Sequence, residues 1–154
     1  MTNLAIFAAG CFWGIEEKFL SEPGVLNTEV GYIGGITKNP NYQDVCIGNT
    51  EHAEAVRVKF DSQAISYESL LKLFFEIHDP TTLNRQGHDI GTQYRAEIFC
   101  LDEDHYLMAD TFKRNLNNDK FNGNIVTSIS MAGTFWIAEE YHQKYIRKKK
   151  NMIL

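Results

Sequence analysis

Hydrophobic residues in the first third of the chain occur in two arrangements, as an unbroken run and at helical spacing. The nearly all-apolar run at residues 3–9 predicts a strand that is buried on both faces. Residues 12–20 carry apolar side chains at helical spacing and predict a helix, which ends at Ser21-Glu22-Pro23-Gly24. Residues 25–32 then predict a second strand, so a strand, a helix and a strand are expected in this order.

The middle of the chain predicts a loop, a half-buried strand and a helix. Residues 33–48 are rich in Gly, Asn and Pro, which indicates a long loop that lies over a site. Polar and apolar residues alternate at 53–60, as in a strand with one buried face. Ser66 is the expected N-cap of a helix that must stop at Asp79-Pro80, because the residue before a proline avoids helical geometry.

The last part of the chain predicts a polar loop at 81–92, three strands and two helices. The strands are expected at 94–100, 125–129 and 134–137, and the helices at 102–117, capped by Asp102, and at 138–150. Strands and helices do not alternate regularly along the chain. The pattern therefore predicts an α+β fold, a two-layer sandwich with a mixed β-sheet and a split-βαβ, ferredoxin-like core.

Composition and charge exclude several classes of protein. The 154 residues show no internal repeat or linker, so one catalytic domain over 1–154 is expected. The net charge of -5, with one basic cluster at 147–150, argues against nucleic acid as a partner. Residues 1–9 carry no basic residue before a short apolar run, which indicates neither a signal peptide nor a membrane span. A cytoplasmic protein is expected, with a monomer as the default.

Three cysteines, Cys11, Cys46 and Cys100, show no CxxC spacing, so we expect no disulfide framework, no metal site and no cofactor. Cys11 lies between a predicted strand and a predicted helix. Free N–H groups and the helix dipole at that position favour a thiolate. The residues alone leave two interpretations open, a nucleophile or a small core residue. Phe12 and Trp13 could likewise form a pocket wall or pack in the core.

The histidines give no clear partner for Cys11. A nucleophilic cysteine ordinarily uses a histidine base, but spacing places none of the five histidines beside Cys11. His52 and His88 lie at loop edges, where a structural hydrogen-bonding role is the expected one. Cys11 and the scattered histidines alone would also allow a thiol peroxidase or another cysteine hydrolase.

Several short motifs occur in order along the chain. They are Gly10-Cys11-Phe12-Trp13-Gly14, Gly31-Tyr32 with Gly34-Gly35, Asn41-Tyr42, and the segments 48–54, 78–81, 84–87 and 89–95. Together they resemble the A-class peptide-methionine sulfoxide reductases, closely at residues 5–99 and more loosely as far as residue 145. Co-linear motifs of this number are much more specific than one short pattern.

This resemblance implies reduction of the S epimer of methionine sulfoxide, free or in oxidised proteins, to methionine, an antioxidant repair activity. It also implies roles for seven residues. Cys11 is the nucleophile, Phe12 and Trp13 hold the substrate methyl group, Glu54 donates a proton to the sulfoxide oxygen, Tyr42 and Tyr94 donate hydrogen bonds to that oxygen, and Asp89 is a supporting acid.

Attack on the sulfoxide would leave Cys11 as a sulfenic acid, which a thiol must reduce. Many members of the family carry resolving cysteines in a C-terminal tail, whereas no cysteine follows Cys100 here. We expect an external reductant, namely thioredoxin, glutaredoxin or a small thiol, with Cys46 as the alternative. Cys100 is expected to be a buried structural thiol.

A second departure from the family is Glu51, where glycine is usual before His-Ala-Glu. It puts the backbone conformation of this loop in question, but not Glu54. The competing hypothesis is a non-catalytic module that binds methionine or its sulfoxide. Such a module would have no need of Cys11, Glu54 and both tyrosines together.

Overall fold

The computed structural model describes residues 2–153, so Met1 and Leu154, at the ends of the expected domain, lie outside it. The described residues form eight strands: β1 Thr2–Ala8, β2 Val25–Ile33, β3 Ala53–Asp61, β4 Arg85–Gln86, β5 Asp89–Ile90, β6 Glu97–Cys100, β7 Ser128–Met131 and β8 Trp136–Ile137. They also form five α-helices: α1 Phe12–Leu20, α2 Tyr42–Ile47, α3 Tyr67–Glu76, α4 Glu103–Lys120 and α5 Tyr145–Ile153.

Six of these strands form one sheet in the order β7-β6-β1-β3-β2-β8. β3 lies antiparallel between β1 and β2, and β1 lies antiparallel between β3 and β6. The β1–α1–β2 and β3–α3–β6 connections therefore each pass over one strand, which is the split-βαβ arrangement of a ferredoxin-like core. Because β6 and β7 are parallel, the sheet is mixed. The predicted fold class is confirmed.

The core lies mainly between the sheet and helices α1 and α3. Phe7 of β1 is fully buried, and its ring centroid lies 4.9 Å from that of Phe19 in α1 and 5.0 Å from that of Phe74 in α3. Successive strand residues point to opposite faces, so Ile6 packs on the other side of the sheet, against Phe99 and its neighbours. β1 is thus buried on both faces, as its apolar run predicts.

The helices begin where capping residues predict. The Ser66 side chain accepts a hydrogen bond from the Ser69 N–H at the start of α3, and Asp102 does the same for His105 at the start of α4. The structure differs from the predictions in the 33–48 loop, which contains α2. Asn41 caps this helix through the Asp44 N–H, and Gly48 ends it with a left-handed φ of 86°.

The prediction of a continuous final helix at 138–150 is wrong. Residues 138–144 form an irregular segment with a 3-10 helix at Glu140–His142 and a turn at 143–144, and α5 begins only at Tyr145. The side chain of Gln143 is hydrogen-bonded to the Val30 backbone, and Lys144 has a φ of 53°, so a regular helix cannot pass through this point. β6 and β7 also begin three residues later than predicted.

No helix in residues 2–153 is long and apolar enough to cross a membrane.

Candidate active site

Cys11 lies at the turn between β1 and α1, as the N-cap residue of the helix. Gly10 makes this turn possible because it adopts a φ of 70°, and a Cβ there would come within 2.8 Å of the Gln86 side chain. The Gly10 N–H donates a 3.1 Å hydrogen bond to the Tyr94 carbonyl. The turn therefore ties Cys11 to the segment that carries Tyr94 and follows Asp89.

The thiol of Cys11 is half-buried and has a raised pKa of about 11. Burial is the main cause, and the negative charges of Glu54 and Asp89 add to it. The N–H groups of Trp13 and Gly14 lower the pKa, as expected at a helix N-terminus, but their effect is smaller. The expectation of a stabilised thiolate is therefore wrong for the free protein, because tertiary burial outweighs the local helix effect.

Glu54, in β3, has the properties of a protonated carboxyl. Its side chain is 1% exposed, and its Oε1 accepts a 3.2 Å hydrogen bond from the Phe12 N–H. Its Oε2 is buried and has no hydrogen-bond partner within residues 2–153. Burial raises the pKa of Glu54 to about 7, against the effect of the Phe12 hydrogen bond. Glu54 therefore carries a proton over part of the neutral pH range.

Tyr42 and Tyr94 lie close to the same carboxyl. Burial and the charge of Glu54 raise the pKa of Tyr94 to about 12. A hydrogen bond with the Cys46 side chain and burial raise the pKa of Tyr42. Both phenols therefore stay protonated and can donate hydrogen bonds at neutral pH. The negative charge of Asp89, the first residue of β5, acts on Cys11, Glu54 and Tyr94.

Phe12 and Trp13 adjoin Cys11 in α1 but differ in exposure. Phe12 is 1% exposed, and its ring centroid lies 5.7 Å from that of Tyr32. Trp13 is half-buried and stacks on Tyr145 with centroids 3.8 Å apart. The structure thus brings the seven predicted site residues into one region, with Phe12 largely in the core and Trp13 partly accessible.

A segment that was predicted to be part of a helix contributes hydrogen-bonded polar groups to this region. We name residues 138–145 the C-terminal strap. Glu139 accepts a hydrogen bond from the Tyr32 hydroxyl and another from the Tyr42 N–H, each 2.9 Å long. The side chain of Gln143 bonds both the N–H and the carbonyl of Val30. No periodicity in the sequence marks the half-buried Glu139 or the buried Gln143 as hydrogen-bonding partners of other elements, so sequence reasoning missed them.

His142 and Glu16 are two further buried polar residues at the strap. The Trp13 Nε1–H donates a 2.9 Å hydrogen bond to Nδ1 of His142, which is 1% exposed. Glu16, also 1% exposed, accepts hydrogen bonds from the Thr28 hydroxyl at 2.7 Å and the Lys144 N–H at 2.6 Å. Glu16 therefore fixes the end of the strap against α1 and β2.

The histidines predicted to be structural do not act on Cys11. Nδ1 of His52 accepts a hydrogen bond from the Gly35 N–H, and Nε2 bonds the Thr37 carbonyl, so both nitrogens hold the neighbouring loop. His88 is exposed in the turn between β4 and β5. His78 lines a groove of about 280 Å³ beside Cys11, but its nitrogens bond the Phe74 carbonyl and the Thr127 hydroxyl. Burial lowers the pKa of His78 to about 4.

The three cysteines are free thiols. Cys100 is buried in β6, 4.0 Å from the Tyr67 hydroxyl, which fits the predicted structural role. Cys46 is exposed on α2 next to Tyr42. The loop at Glu51 adopts a left-handed φ of 63° with glutamate in place of glycine, and the Glu51 carbonyl accepts a hydrogen bond from Arg95. The backbone there thus keeps a left-handed conformation that glycine favours, although the residue is glutamate.

A cysteine at a strand-to-helix turn, a carboxyl that holds a proton near neutral pH and two phenolic hydroxyls, on a ferredoxin-like fold, define a cysteine-dependent class of enzyme. Comparison with known proteins specifies this class further. The family model described as peptide methionine sulfoxide reductase matches residues 3–153.

Similar proteins cover almost the whole chain. The peptide methionine sulfoxide reductase MsrA of Methanoculleus marisnigri is 52% identical over 146 residues, which are 94% of this chain and 89% of that protein. The protein of the same name from Pelagibacter ubique is 51% identical, over 96% of this chain and 99% of its own length. The crystal structure of reduced Mxr1 from Saccharomyces cerevisiae has a TM-score of 0.92 at 34% identity, over 97% of this chain and 86% of that one. The chain belongs to the peptide methionine sulfoxide reductase family, and the predicted family and enzyme class are confirmed.

Proposed function

We propose that this protein reduces the S epimer of methionine sulfoxide, free or in oxidised proteins, with Cys11 as the nucleophile. The observation that carries the proposal is the buried carboxyl of Glu54 beside Cys11, with one oxygen bonded to the Phe12 N–H and the other without a partner within residues 2–153. The oxygen of a sulfoxide leaves only when it is protonated. A carboxylic acid with a pKa of about 7 is suited to supply that proton.

In the proposed reaction the Cys11 sulfur attacks the sulfoxide sulfur while Glu54 gives its proton to the sulfoxide oxygen. The S–O bond of the substrate then breaks, and the oxygen passes to Cys11 as a sulfenic acid. The thiol and the sulfoxide thus yield the sulfenic acid and methionine. The cysteine sulfur loses two electrons and the substrate sulfur gains them, so the step balances without a cofactor.

The charges around Cys11 suit this sequence of events. A negative Glu54 raises the pKa of Cys11, so a neutral Glu54 removes one of the effects that oppose thiolate formation. A sulfoxide oxygen that accepts a hydrogen bond from Glu54 favours the neutral carboxyl. Substrate binding is therefore expected to make ionisation of Cys11 easier at the moment when the thiolate is needed.

The remaining residues have supporting roles in the proposal. The protonated hydroxyls of Tyr42 and Tyr94 donate hydrogen bonds to the substrate oxygen, where one such donor is worth roughly 3 kcal/mol in comparable sites. Phe12 and Trp13 provide the apolar wall for the substrate methyl group. Asp89 helps to set the charge at Cys11 and Glu54.

A thiol must then reduce the sulfenic acid of Cys11. One thiol displaces water to form a disulfide with Cys11, and a second thiol reduces that disulfide. We propose an external reductant, thioredoxin, glutaredoxin or a small thiol, and the related Mxr1 is known in complex with Trx2. Cys46 is the alternative, because its exposed side chain lies beside Tyr42 at the same site.

A single turnover without reductant tests both parts of the proposal. The protein is mixed with excess methionine S-sulfoxide, and the methionine formed and the masses of the cysteine peptides are measured. We expect one equivalent of methionine and oxidised, unbridged Cys11. No methionine is expected from Cys11→Ser, whereas Cys100→Ser serves as the matched control and should retain the full yield.

Other outcomes would change the conclusion in defined ways. A Cys11–Cys46 disulfide, absent in Cys46→Ser, would replace the external route by the internal one. Full activity of folded Cys11→Ser would overturn the proposed nucleophile. Binding of the sulfoxide by the wild-type protein without any methionine would indicate the non-catalytic module instead.

A further inference from the structure

His142 lies between the two parts of the proposed substrate site. Its ring centroid is 5.6 Å from that of Trp13 and 5.2 Å from that of Phe12, the two residues proposed to hold the methyl group. The same ring is 4.4 Å from that of Tyr42, a proposed donor to the substrate oxygen. One buried side chain therefore contacts both the apolar wall and the polar part of the site.

The hydrogen bond from Trp13 fixes the chemical form of this histidine. An indole N–H can only donate, so Nδ1 of His142 must accept, and the neutral ring carries its proton on Nε2. Burial lowers the pKa of His142, with the charge of Glu139 acting in the opposite direction, which agrees with a neutral ring.

The environment of Nε2, the other ring nitrogen, shows that His142 does not maximise the stability of the folded protein. Nε2 is buried and has no hydrogen-bond partner within the described residues. Burying an unpartnered N–H is unfavourable, and a phenylalanine of similar shape would avoid this cost. The hydrogen bond from Trp13 therefore explains why this position holds a histidine and not a phenylalanine.

Trp13 depends on the C-terminal strap for its orientation. His142 holds the indole N–H, and Tyr145 stacks on the indole plane at 3.8 Å. The strap is itself fixed to β2 by Gln143 and to α1 by Glu16. His142 thus connects the half-buried side chain of Trp13 to a segment that is itself fixed to the sheet and to α1.

We propose that His142 is a positioning residue that sets the width of the methyl pocket by holding Trp13, and thereby selects S-methyl over larger S-alkyl sulfoxides. The inference rests on the proposed function. Without the bond from Trp13 to His142, the indole can turn and admit a longer alkyl group. The bond joins Trp13 to the strap and does not involve the thiol of Cys11, so its loss should affect selectivity first.

The test compares methionine S-sulfoxide with ethionine S-sulfoxide, which carries one more methylene on sulfur. A well-fitted pocket discriminates against one methylene by roughly 10-fold or more in kcat/KM. His142→Phe keeps the ring but removes the acceptor, and we expect it to reduce this ratio at least about threefold, mainly through KM for methionine sulfoxide. His142→Gln, which can still accept from Trp13, should restore part of the ratio. Tyr141→Phe, at the exposed neighbouring residue, should leave it unchanged.

A double-mutant cycle separates positioning from a general structural role. If His142 acts through Trp13, His142→Phe should change the ratio little in a Trp13→Phe background. The fluorescence of Trp13, measured with Trp136→Phe, should shift in His142→Phe and not in Tyr141→Phe. An unchanged methyl-to-ethyl ratio in folded His142→Phe, or an equal loss in the Trp13→Phe background, would overturn the inference.

Failure of the inference differs from failure of the proposed function. If wild-type protein makes no methionine from methionine S-sulfoxide, the proposed function itself is wrong. If the wild-type protein does so with the expected preference for the methyl group, and His142→Phe keeps that preference, only the role of His142 is refuted.

Discussion

Among single residues, Glu54 and Cys11 show most clearly how burial controls chemistry at this site. Burial places the pKa of Glu54 near 7, and burial together with the charges of Glu54 and Asp89 raises that of Cys11 to about 11. The free protein therefore holds a thiol and, below pH 7, a carboxylic acid. In the proposed reaction both groups therefore start in their neutral forms below pH 7.

The pKa of Glu54 predicts how activity depends on pH. Ionisation of the Cys11 thiol raises the rate with pH, and loss of the Glu54 proton above about pH 7 opposes this rise, so the single-turnover rate should level off near that value. Glu54→Gln should lower the rate by about 10²- to 10⁴-fold and remove this break, so that the rate continues to rise above pH 7, while substrate still binds. Rapid-quench measurement of methionine between pH 5 and 9 checks this, and an identical break in the variant would assign it to another group.

The same pKa predicts an effect on stability. Below pH 4.5 the carboxyl of Glu54 is protonated in both folded and unfolded chains, and above that pH only the unfolded chain ionises readily. A rise of the pKa from 4.5 to about 7 thus lowers the free energy of unfolding by about 3 kcal/mol once the pH exceeds 7. In urea unfolding, Glu54→Gln should gain about this much over wild type between pH 4 and pH 8. A difference that does not vary with pH would contradict the burial argument.

Glu51 has a backbone conformation that is unfavourable for a residue with a side chain. Its φ of 63° is left-handed, which costs an L-residue with a Cβ roughly 1–2 kcal/mol. Glycine avoids this cost but loses about 0.5–1 kcal/mol in backbone entropy. We therefore expect Glu51→Gly to raise the free energy of unfolding by about 0.5–1 kcal/mol, measured in urea. Glu51→Ala keeps the strain and should give no gain, and an equal gain there would point to the lost charge instead.

Among the elements, the C-terminal strap and α2 depend on each other. Glu139 accepts one hydrogen bond from the Tyr42 N–H at the start of α2 and one from the Tyr32 hydroxyl in β2. Burial alone would raise the pKa of Glu139, but these hydrogen bonds outweigh it and the pKa is lowered. The carboxylate therefore fixes the helix that carries both Tyr42 and Cys46.

Replacement of Glu139 should loosen α2. Glutamine offers one oxygen where the carboxylate offers two, so Glu139→Gln leaves either Tyr42 N–H or Tyr32 hydroxyl without an acceptor. We expect a loss of about 1–3 kcal/mol in the free energy of unfolding and a slower single turnover. The control is Glu140→Gln at the next residue, whose side chain is 90% exposed, with an expected change within about 0.5 kcal/mol. Equal effects of the two substitutions would refute a specific role for Glu139.

At the scale of the whole molecule, Phe7 joins the sheet to both covering helices. It is fully buried and packs against Phe19 of α1 and Phe74 of α3. The same strand, β1, leads into the turn that carries Cys11. The core therefore supports the site directly, through a few residues of one strand.

Truncation of Phe7 should destabilise the protein throughout. Phe7→Ala is expected to cost about 3–5 kcal/mol of unfolding free energy, because it removes contacts with both helices and leaves a cavity. Leu26→Ala, at a side chain that is 54% exposed, should cost less than about 1 kcal/mol. Urea unfolding followed by circular dichroism measures both. A small effect at Phe7 would show that the core repacks around the space.

Much of this architecture follows from local patterns. The apolar run of β1, the helical spacing of α3 and the caps at Ser66 and Asp102 predict their elements because periodicity and capping act within a few residues. The sequence did not predict α2, although Asn41 and Gly48 mark its ends, because the glycine-rich composition around it favours a loop. The candidate site came from motifs whose order in the chain resembles one family.

The sequence by itself determined the fold class, most elements, the family and the seven candidate site residues. Only the tertiary structure decided the ionisation of Cys11 and Glu54, since their pKa values depend on burial and on charges from β3 and β5 that the fold brings to the turn before α1. It also decided the course of the C-terminal strap, which pairs His142 with Trp13 across 129 positions of sequence. Local sequence patterns cannot predict such contacts, because the partners meet only after the sheet and its helices have packed.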